Sequence, residues 1–506
     1  MQKKWITIPC VQQLLFCVLS VVIFFPNLSR TFASDDFEVI RRVGLDRRLL
    51  IPGFFRPLSD LTLLGNYLAG GWHAWGYYLF NILVHGVNSY LVMVFCLRWG
   101  WTVDRGQQRS YAVFAGLLFL VYPFHSEGID WILGRGATLS TFFGLAALTT
   151  MLGGLPAFRR LFWAALLYFI GMAAYEPVIL LPLFCLIILY TLPARRKEMF
   201  RWGIVLLGVL VLHVGIRIWA NGGISGRYEG GFFRAGLPHL AGNAVKVAGR
   251  LFLPPAENSR AMVVLFLLLI AGWVAVAIYF IRRTGQTRER RIYLCALLLM
   301  LVIACCMPVI TGVSTRTSES DRLLYFPSVF LCCILAFLPV TLVKGRFAQT
   351  GVVAGVLIYM LIFLEEGNRN WVRASDMTRA VLKVAGSEPK GKRLLIVNLP
   401  DELRGAYIFR NGFPEAMGLI GRNDKNTLII SHLTWDLWCK TPDSIRAEMT
   451  GDGIRIPPGV RISRMAGDSV LVEGSSGKSG DTTWRAGGGD DLFYWNKGRL
   501  VRLSFL

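Results

Sequence analysis

The chain has 506 residues, of which 54% are hydrophobic and only 17% charged, and its mean hydropathy is +0.50. Soluble globular proteins carry about 25% charged residues, and the 33 Phe, 15 Trp and 16 Tyr of this chain also exclude a disordered or collagen-like protein. The net charge of +22 does not indicate nucleic-acid binding, because much of it lies in loops between apolar runs and in a Gly-rich tail without a basic stripe. The composition predicts a polytopic α-helical membrane protein with one soluble appendage.

Membrane-spanning segments are predicted throughout the first 365 residues. A helix needs about 20 mostly apolar residues to cross a bilayer, and about eleven segments meet this criterion. In chain order they are residues 8–28, 76–97, 111–125, 137–155, 160–175, 177–194, 202–219, 261–281, 292–310, 323–343 and 348–364. The first is predicted to be a retained helix, because no small-residue cleavage site follows it. We therefore predict one transmembrane domain over residues 1–365.

Basic residues in the short loops predict the orientation of these helices, since Lys and Arg are concentrated in cytoplasmic loops. A cytoplasmic N-terminus places most basic loops inside, including 195–201. Residues 29–75 would then lie outside, although they contain six arginines. Either the other loops override this one, or it is basic because it binds an anionic ligand.

Residues 366–506 differ in character, because they are polar and rich in Gly. Alternating apolar runs that indicate β-strands lie at residues 393–397, 427–431, 460–462 and 470–472. We predict an α/β or β-rich domain here, on the extracytoplasmic side because the number of helices is odd. Its turn segments between residues 398 and 412 either recognise an acceptor or only support the fold.

The first outer loop contains two features that suggest chemistry. Asp35 and Asp36 directly follow the first helix, and adjacent carboxylates either bind a cation or accept a proton from a substrate hydroxyl. The alternative is a solvated helix end. Leucines at near-helical spacing over residues 58–68 then predict an amphipathic helix on the bilayer or a packed re-entrant segment.

The second outer loop carries a cluster of ionisable residues at a membrane boundary. His125, Glu127, Asp130 and Arg135 lie within eleven residues of one another. Ionisable groups at membrane depth are costly and tend to be functional. The alternative for His125 is a structural role, as a buried polar residue whose hydrogen bonds are satisfied.

Two more charged positions precede predicted helices. Glu176 lies before Pro177, where a carboxylate either complements the helix dipole or takes part in chemistry. Arg322 opens the tenth helix and is predicted either to pair with Asp321 or to bind a lipid phosphate by bidentate hydrogen bonds.

Four motifs occur in a fixed order, at residues 55–59, 81–85, 125–135 and 322–328. This ordered set resembles the membrane part of the GT-C superfamily of polyprenol-phosphate-sugar glycosyltransferases, in particular the transmembrane-and-tetratricopeptide O-mannosyltransferases and their bacterial relatives. The resemblance covers about residues 10–365 and implies a GT-C-like helical fold. Two departures are that no tetratricopeptide repeats follow the last helix and that Tyr175 stands where the family often has Lys. The protein acceptors of the animal enzymes are therefore not assumed.

The resemblance implies an enzyme of the cell envelope, in a bacterial inner membrane. It would move a hexose such as mannose from a polyprenyl phosphate to a periplasmic glycan, lipid or protein acceptor, with inversion at the anomeric carbon. One of the acidic pair would be the general base, with Asp35 favoured as the first acid. The remaining implied residues comprise three that position the acceptor or share its proton, His125, Glu127 and Glu176, and three that bind the donor phosphate, Arg56, Arg135 and Arg322. Mg²⁺ or Mn²⁺ on Asp35 and Asp36 is left open.

Other functions remain open. A transporter or flippase would place ionisable residues near helix centres, where His213 and Arg217 are the candidates, although both lie in the outer half of their segment. A polymerase of lipid-linked glycans would use a similar donor and differ in the length of its product. A non-catalytic scaffold would lose its function entirely on deletion of residues 390–506.

Overall fold

The computed structural model describes residues 9–50, 54–100, 104–221, 236–256, 259–282, 287–387, 394–397 and 399–421, together with short strands beyond residue 421. Residues 8, 393, 427, 430, 431 and 460, which end predicted segments, lie outside the described residues. The chain divides into two compact units. The first comprises Met1–Phe25, Arg48–Gly65 and Gly76–Asn368, and the second comprises Pro26–Arg47, Asn66–Trp75 and Arg369–Leu506.

The helices are numbered in chain order. They are α1 (Pro9–Ile23), α2 (Asp35–Ile40), α3 (Pro57–Gly70), α4 (Ala74–Arg98), α5 (Arg105–Leu120), α6 (Ser126–Asp130), α7 (Arg135–Met151), α8 (Ala157–Met172), α9 (Leu181–Thr191), α10 (Met199–Asn221), α11 (Leu237–Arg250), α12 (Ser259–Arg282), α13 (Arg288–Ala304), α14 (Cys306–Thr311), α15 (Pro327–Leu342), α16 (Arg346–Ser387) and α17 (Phe413–Leu419).

Within the described residues, six helical segments are long and apolar enough to cross a membrane. They are Ala74–Arg98, Ile132–Met151, Pro193–Ala220, Met262–Phe280, Arg288–Thr311 and Arg346–Ser387. A seventh is obtained if α5 and the following Pro123–Asp130, which are bent by 51°, count as one span. The chain is thus a multi-pass membrane protein.

The number of spans differs from the predicted eleven, although each predicted segment contains a helix. Four of these helices, α1, α8, α9 and α15, have 15, 16, 11 and 16 residues, fewer than the roughly 20 needed to cross a bilayer. The apolar runs around α1 and α9 continue as 3₁₀ turns at Phe25–Ser29 and Glu176–Leu180. Each of these turns contains a proline, which cannot donate the backbone hydrogen bond of a helix interior.

The leucine face of α3 is partly exposed. Leu61 and Leu68 are exposed, whereas Leu58 and Leu64 are half-buried. An amphipathic helix on the bilayer and a packed re-entrant segment both give this burial, so both stay predictions.

The polar residues of the motif at 81–85 are structural. The Asn81 side-chain amide donates to three carbonyls between residues 129 and 132, at 3.1–3.3 Å. The His85 ring lies 2.7 Å from the Tyr325 hydroxyl and 3.0 Å from the Leu120 carbonyl oxygen. These bonds link α4 to the second outer loop and to the segment before α15, and satisfied buried polar groups of this kind fix how helices pack.

The last membrane helix, α16, is 42 residues long and extends beyond the predicted end at residue 364 to Ser387. Its second half carries a buried stripe at helical spacing, Trp371, Ala374, Thr378, Val381 and Ala385. These residues belong to the second unit, where the Trp371 ring packs edge-on against Tyr407. Packing of this stripe against the second unit stabilises the helix beyond its apolar run. The helix therefore continues past residue 364, where the apolar run ends.

The second unit also contains strands, numbered in chain order. They are β1 (Leu394–Val397), β2 (Leu399–Pro400), β3 (Glu402–Leu403), β4 (Ala406–Tyr407), β5 (Leu428–Ile429), β6 (His432–Leu433), β7 (Glu448–Thr450), β8 (Gly453–Ile456), β9 (Arg461–Ala466), β10 (Ser469–Ser475), β11 (Thr482–Trp484), β12 (Asp491–Asn496) and β13 (Arg499–Leu503). Six of them form a mixed sheet of order β10-β9-β5-β1-β12-β13. The central strand β1 is parallel to both neighbours, with Leu395 opposite Leu428 and Leu492.

Candidate active site

The acidic pair opens α2 in the second unit, and its two members have different surroundings. Asp36 is fully buried, and its Oδ2 accepts a hydrogen bond from the backbone N–H of Ala33 at 3.0 Å. Asp35 is half-buried, so part of its surface is open to solvent. Asp36 therefore holds the turn before α2, and Asp35 is the more accessible acid.

In the first unit, three arginines from distant parts of the sequence surround Tyr175 and Glu176. We call Arg56, Arg217 and Arg322 the arginine cluster. Arg56 stacks over the Tyr175 ring with its Cζ 4.6 Å from the ring centroid, and its Nη2 lies 3.3 Å from Glu176 Oε2. Arg217 of α10 donates to Glu176 Oε1 at 2.5 Å, and Arg322 hydrogen-bonds the Tyr175 side chain.

The motif at residues 55–59 fixes the position of Arg56. The backbone N–H of Leu58 donates to the carbonyl of Ala173 at 3.1 Å, and Ser59 Oγ donates to the carbonyl of Ala174 at 3.1 Å. These two bonds attach the start of α3 to the segment that carries Tyr175. Arg56 is therefore brought to the ring by backbone contacts as well as by its own charge.

Glu127 positions Arg322. The Arg322 backbone N–H donates to Glu127 Oε2 at 2.8 Å, and its guanidinium donates to Glu127 Oε1. The guanidinium also lies over the Trp131 ring, with Cζ 5.1 Å from the centroid. Because Glu127 is fully buried, its carboxylate serves to orient Arg322, which differs from the predicted contact with an acceptor.

The predicted pairing of Arg322 with Asp321 is wrong. Asp321 instead accepts from Arg250 of α11, whose Nη2 lies 2.6 and 2.7 Å from the two carboxylate oxygens. Both side chains are buried. Burial raises the pKa of the Asp321 carboxyl to about 7, while the Arg250 guanidinium acts in the opposite direction. Arg250 therefore helps to keep Asp321 ionised.

The arginine cluster has access to solvent. Its side chains are 32%, 17% and 26% exposed for Arg56, Arg217 and Arg322. Three guanidinium groups contact two carboxylates, those of Glu127 and Glu176. A phosphate is a suitable ligand for such a cluster, because guanidinium donates bidentate, charge-assisted hydrogen bonds to it.

Arg135 does not join the arginine cluster. It is fully buried, and it donates to the carbonyls of Ile132 and Tyr77, both at 3.3 Å. Its Cζ lies 4.8 Å from the Phe80 ring centroid. Because these contacts hold the start of α7 inside the first unit, its location does not match the predicted binding of donor phosphate.

His125 also lies in the interior. Its Nε2 is 2.7 Å from Ser328 Oγ, and its ring centroid is 4.3 Å from that of Tyr325 and 5.2 Å from that of His85. The side chain is 0% exposed. This geometry corresponds to the structural alternative, a buried histidine that forms hydrogen bonds within the protein. It differs from the predicted contact with an acceptor.

Sequence reasoning missed two members of this site. Arg217 was considered only as a transporter residue, and Tyr175 only as a departure from a family motif. The signal for Arg217 is its place near the C-terminal end of the apolar helix α10, where an arginine requires a partner. Its partner, Glu176, is 41 residues away and was not visible from local sequence.

A metal site is not built from the described residues. Within them, no group of three or more His, Cys, Asp or Glu side chains is arranged to hold a metal ion. Asp36 Oδ2 is engaged with the Ala33 amide. Binding of Mg²⁺ or Mn²⁺ to Asp35 and Asp36 remains a prediction, and the chemistry below does not use a metal.

Sequence comparisons identify similar proteins among the O-mannosyltransferases. The human protein O-mannosyl-transferase TMTC4 is 34% identical over 137 residues, which cover 24% of this chain and 18% of that protein. Human TMTC3 is 34% identical over 93 residues, covering 18% and 9%, and Drosophila melanogaster Tmtc1 is 38% identical over 85 residues, covering 16% and 9%. The chain thus matches less than a fifth of the length of these relatives, and no protein-family model matches it.

Two solved structures are also similar. ArnT from Cupriavidus metallidurans, bound to undecaprenyl phosphate, is 15% identical, with 82% of this chain and 92% of that chain covered and a TM-score of 0.41. The Archaeoglobus fulgidus oligosaccharyltransferase is 13% identical, with coverages of 76% and 60% and a TM-score of 0.43. The sequence matches confirm the predicted resemblance to the transmembrane O-mannosyltransferases.

Proposed function

We propose that this chain is an integral-membrane glycosyltransferase that moves a sugar from a polyprenyl phosphate to an extracytoplasmic hydroxyl group. The observation that carries the proposal is the arginine cluster, which brings three partly exposed guanidinium groups together and is held in place by Glu127 and Glu176. A phosphate that gains charge as it leaves is the ligand that such a cluster stabilises. Local similarity to O-mannosyltransferases supports glycosyl transfer as the reaction.

Asp35 is proposed as the general base. Its carboxylate takes the proton of the acceptor hydroxyl while the acceptor oxygen attacks the anomeric carbon of the sugar. The bond between that carbon and the phosphate oxygen breaks, and its electron pair remains on the phosphate. The products are the glycosylated acceptor with inverted configuration, polyprenyl phosphate and a proton on Asp35. The half-buried position of Asp35, compared with the buried Asp36, supports this choice.

Arg56 and Arg322 are proposed to bind the donor phosphate. Both lie against Tyr175, and their fixed orientation means that little reorganisation accompanies the growth of charge on the phosphate. Arg217 is assigned to hold Glu176 in place. The membrane is proposed to be a bacterial inner membrane with the N-terminus in the cytoplasm, and the acceptor is proposed to be a glycan, lipid or protein on the opposite side.

The test is turnover by purified protein in lipid nanodiscs with a panel of undecaprenyl-phosphate hexoses. Release of undecaprenyl phosphate is measured for the wild type, Arg56→Gln and Arg322→Gln. Loss of one such stabilising donor lowers turnover by about 10²–10³-fold. Arg159→Gln is the matched control, because Arg159 is exposed in the first turn of α8 and lies outside the cluster.

Three outcomes would contradict the proposal. Equal turnover by wild type, Arg56→Gln and Arg322→Gln would show that the arginine cluster does not bind the donor phosphate. Movement of the intact donor across the bilayer without loss of its sugar would instead identify a flippase. A product that carries many added sugars would identify the polymerase alternative.

A further inference from the structure

Ser34, the residue before Asp35, has a backbone conformation that is unusual for a residue with a side chain. Its φ is 49° and its ψ is −124°, a region that favours glycine. Such a conformation persists only where surrounding contacts determine it, and it occurs preferentially at functional sites. The direction in which α2 leaves this turn, and hence the position of Asp35, depends on it.

Contacts from the C-terminal region hold Ser34 in this conformation. Its backbone N–H donates to the carbonyl of Ile408 at 2.9 Å, and its Oγ accepts from the backbone N–H of Asn411 at 3.1 Å. Ser34 is fully buried between these partners. Both bonds use main-chain atoms of residues 408–411, so they depend on the path of that segment and less on its side chains.

Gly412 allows this segment to approach Ser34. Its φ is +72°, and a Cβ atom at this position would lie 2.3 Å from the Ser34 carbonyl oxygen. Real Cβ atoms do not approach a backbone oxygen this closely, so only glycine permits the contact. An alanine at residue 412 would push the two backbones apart.

Neighbouring contacts support the same connection. The Phe37 and Phe409 rings stack with centroids 6.5 Å apart and an angle of 18° between their planes. The backbone N–H of Thr31 donates to Ser375 Oγ of α16 at 2.9 Å. The turn before α2 is thus held by the second half of α16 and by residues 408–411.

We infer that residues 408–412, here called the buttress, position the Asp35 carboxylate by holding Ser34 in its glycine-like conformation. The inference rests on the proposed function, in which Asp35 is the general base. It makes the C-terminal region part of the catalytic apparatus. Ile408, Asn411 and Gly412 are positioning residues.

The first test is Gly412→Ala, with Gly421→Ala as the matched control. Both glycines have positive φ and lie in the second unit, but Gly421 lies outside the buttress. A misplacement of about 1 Å lowers catalysis by about 10²-fold, so we expect kcat of Gly412→Ala to fall by that factor while KM for the donor stays within about threefold. Gly421→Ala is expected to lower thermal stability and to leave kcat near the wild-type value.

A second variant separates positioning from a general loss of structure. Ser34→Gly removes the Oγ bond but favours the observed backbone conformation, whereas Ser34→Val opposes that conformation because it is β-branched. We expect Ser34→Gly to keep kcat within about fivefold of wild type and Ser34→Val to lower it about 10²-fold. If Ser34→Gly is instead the more damaged variant, the backbone conformation is not what the buttress supplies.

Hydrogen exchange provides a readout that needs no substrate. Gly412→Ala should raise the exchange rate of peptides within residues 30–38 and leave that of α4 unchanged. An unchanged exchange rate in residues 30–38 would show that the buttress does not hold the turn at Ser34. Increased exchange with unchanged kcat would overturn its positioning role. Increased exchange in a protein whose wild type transfers no sugar would refute the proposed function and, with it, any catalytic role for the buttress.

Discussion

The Glu176 carboxylate and the Arg217 guanidinium form an ion pair with a distance of 2.5 Å, although 41 residues separate them in sequence. The second oxygen of the same carboxylate lies 3.3 Å from Arg56 Nη2. One acid therefore compensates two cations that would otherwise repel each other. This arrangement explains how guanidinium groups can remain close together and still present positive charge to a ligand.

Replacing Glu176 by Gln keeps the shape of the side chain and removes this compensation. Loss of one partner from a buried ion pair destabilises a protein by about 3–5 kcal/mol, and partial exposure reduces the expected loss here to about 1–3 kcal/mol. We expect Glu176→Gln to lower the unfolding temperature and to raise KM for the polyprenyl-phosphate donor. Thermal unfolding and steady-state kinetics in nanodiscs measure these two effects.

Glu198 offers the matched control for this variant, because it also contacts two arginines, Arg195 at 2.8 Å and Arg160 at 3.2 Å. Glu198→Gln should lower stability without changing KM. A similar rise in KM for both variants would show that the effect is global and would argue against a donor site at Glu176.

Arg322→Lys keeps the charge of the arginine cluster and changes its geometry. Lys presents a compact ammonium group and cannot donate to Glu127 and to a phosphate in the planar fork of Arg. We expect kcat/KM to fall by about 10–100-fold while the unfolding temperature changes little. Arg159→Lys is the control, and full activity of Arg322→Lys would show that charge alone matters at this position.

Asp35 and Asp36 should respond differently to substitution. Asp35→Asn should lower kcat by about 10²–10⁴-fold, the range of general-base catalysis, with normal folding because the side chain is half-buried. Asp36→Ala should lower stability by about 1–3 kcal/mol, since the Ala33 amide loses its acceptor. Asp46→Asn, in the same loop and exposed, is the control. Full activity of both Asp35→Asn and Asp36→Asn would exclude the pair as the base.

The buried pair of Arg250 and Asp321 predicts a pH-dependent effect on stability. Burial raises the pKa of Asp321 to about 7, and Arg250 opposes this rise, so Arg250→Gln should raise the pKa further. Between the unfolded pKa of about 3.9 and the folded value, the folded state binds more protons, so stability falls as the pH rises. The loss of unfolding temperature caused by Arg250→Gln should therefore be larger at pH 8 than at pH 5. An equal loss at both pH values would contradict the prediction.

The multi-pass character of the chain, the position of individual helices and the ordered motifs of its relatives could be predicted from the amino-acid sequence alone. The span predicted at residues 76–97 occurs as Ala74–Arg98, because a continuous apolar run is a local property that the bilayer selects by length. Local sequence patterns predicted helix length less well where tertiary packing, and not an apolar run, determines where a helix ends. α16 continues to Ser387 because a buried stripe follows its apolar half, and α9 is short because proline interrupts its run.

Which charged residues act together could not be predicted from the sequence, because it depends on how distant segments pack. Arg56, Tyr175 and Arg322 are far apart in sequence and meet through the packing of separate helices. Arg135 and His125 could not be distinguished from these residues in the sequence. A polar residue in a motif has the same local sequence context whether its side chain faces the protein interior or a ligand. Whether an ionisable side chain is buried among carbonyls or remains exposed to a ligand depends on contacts between distant segments, and a single local pattern does not contain that information.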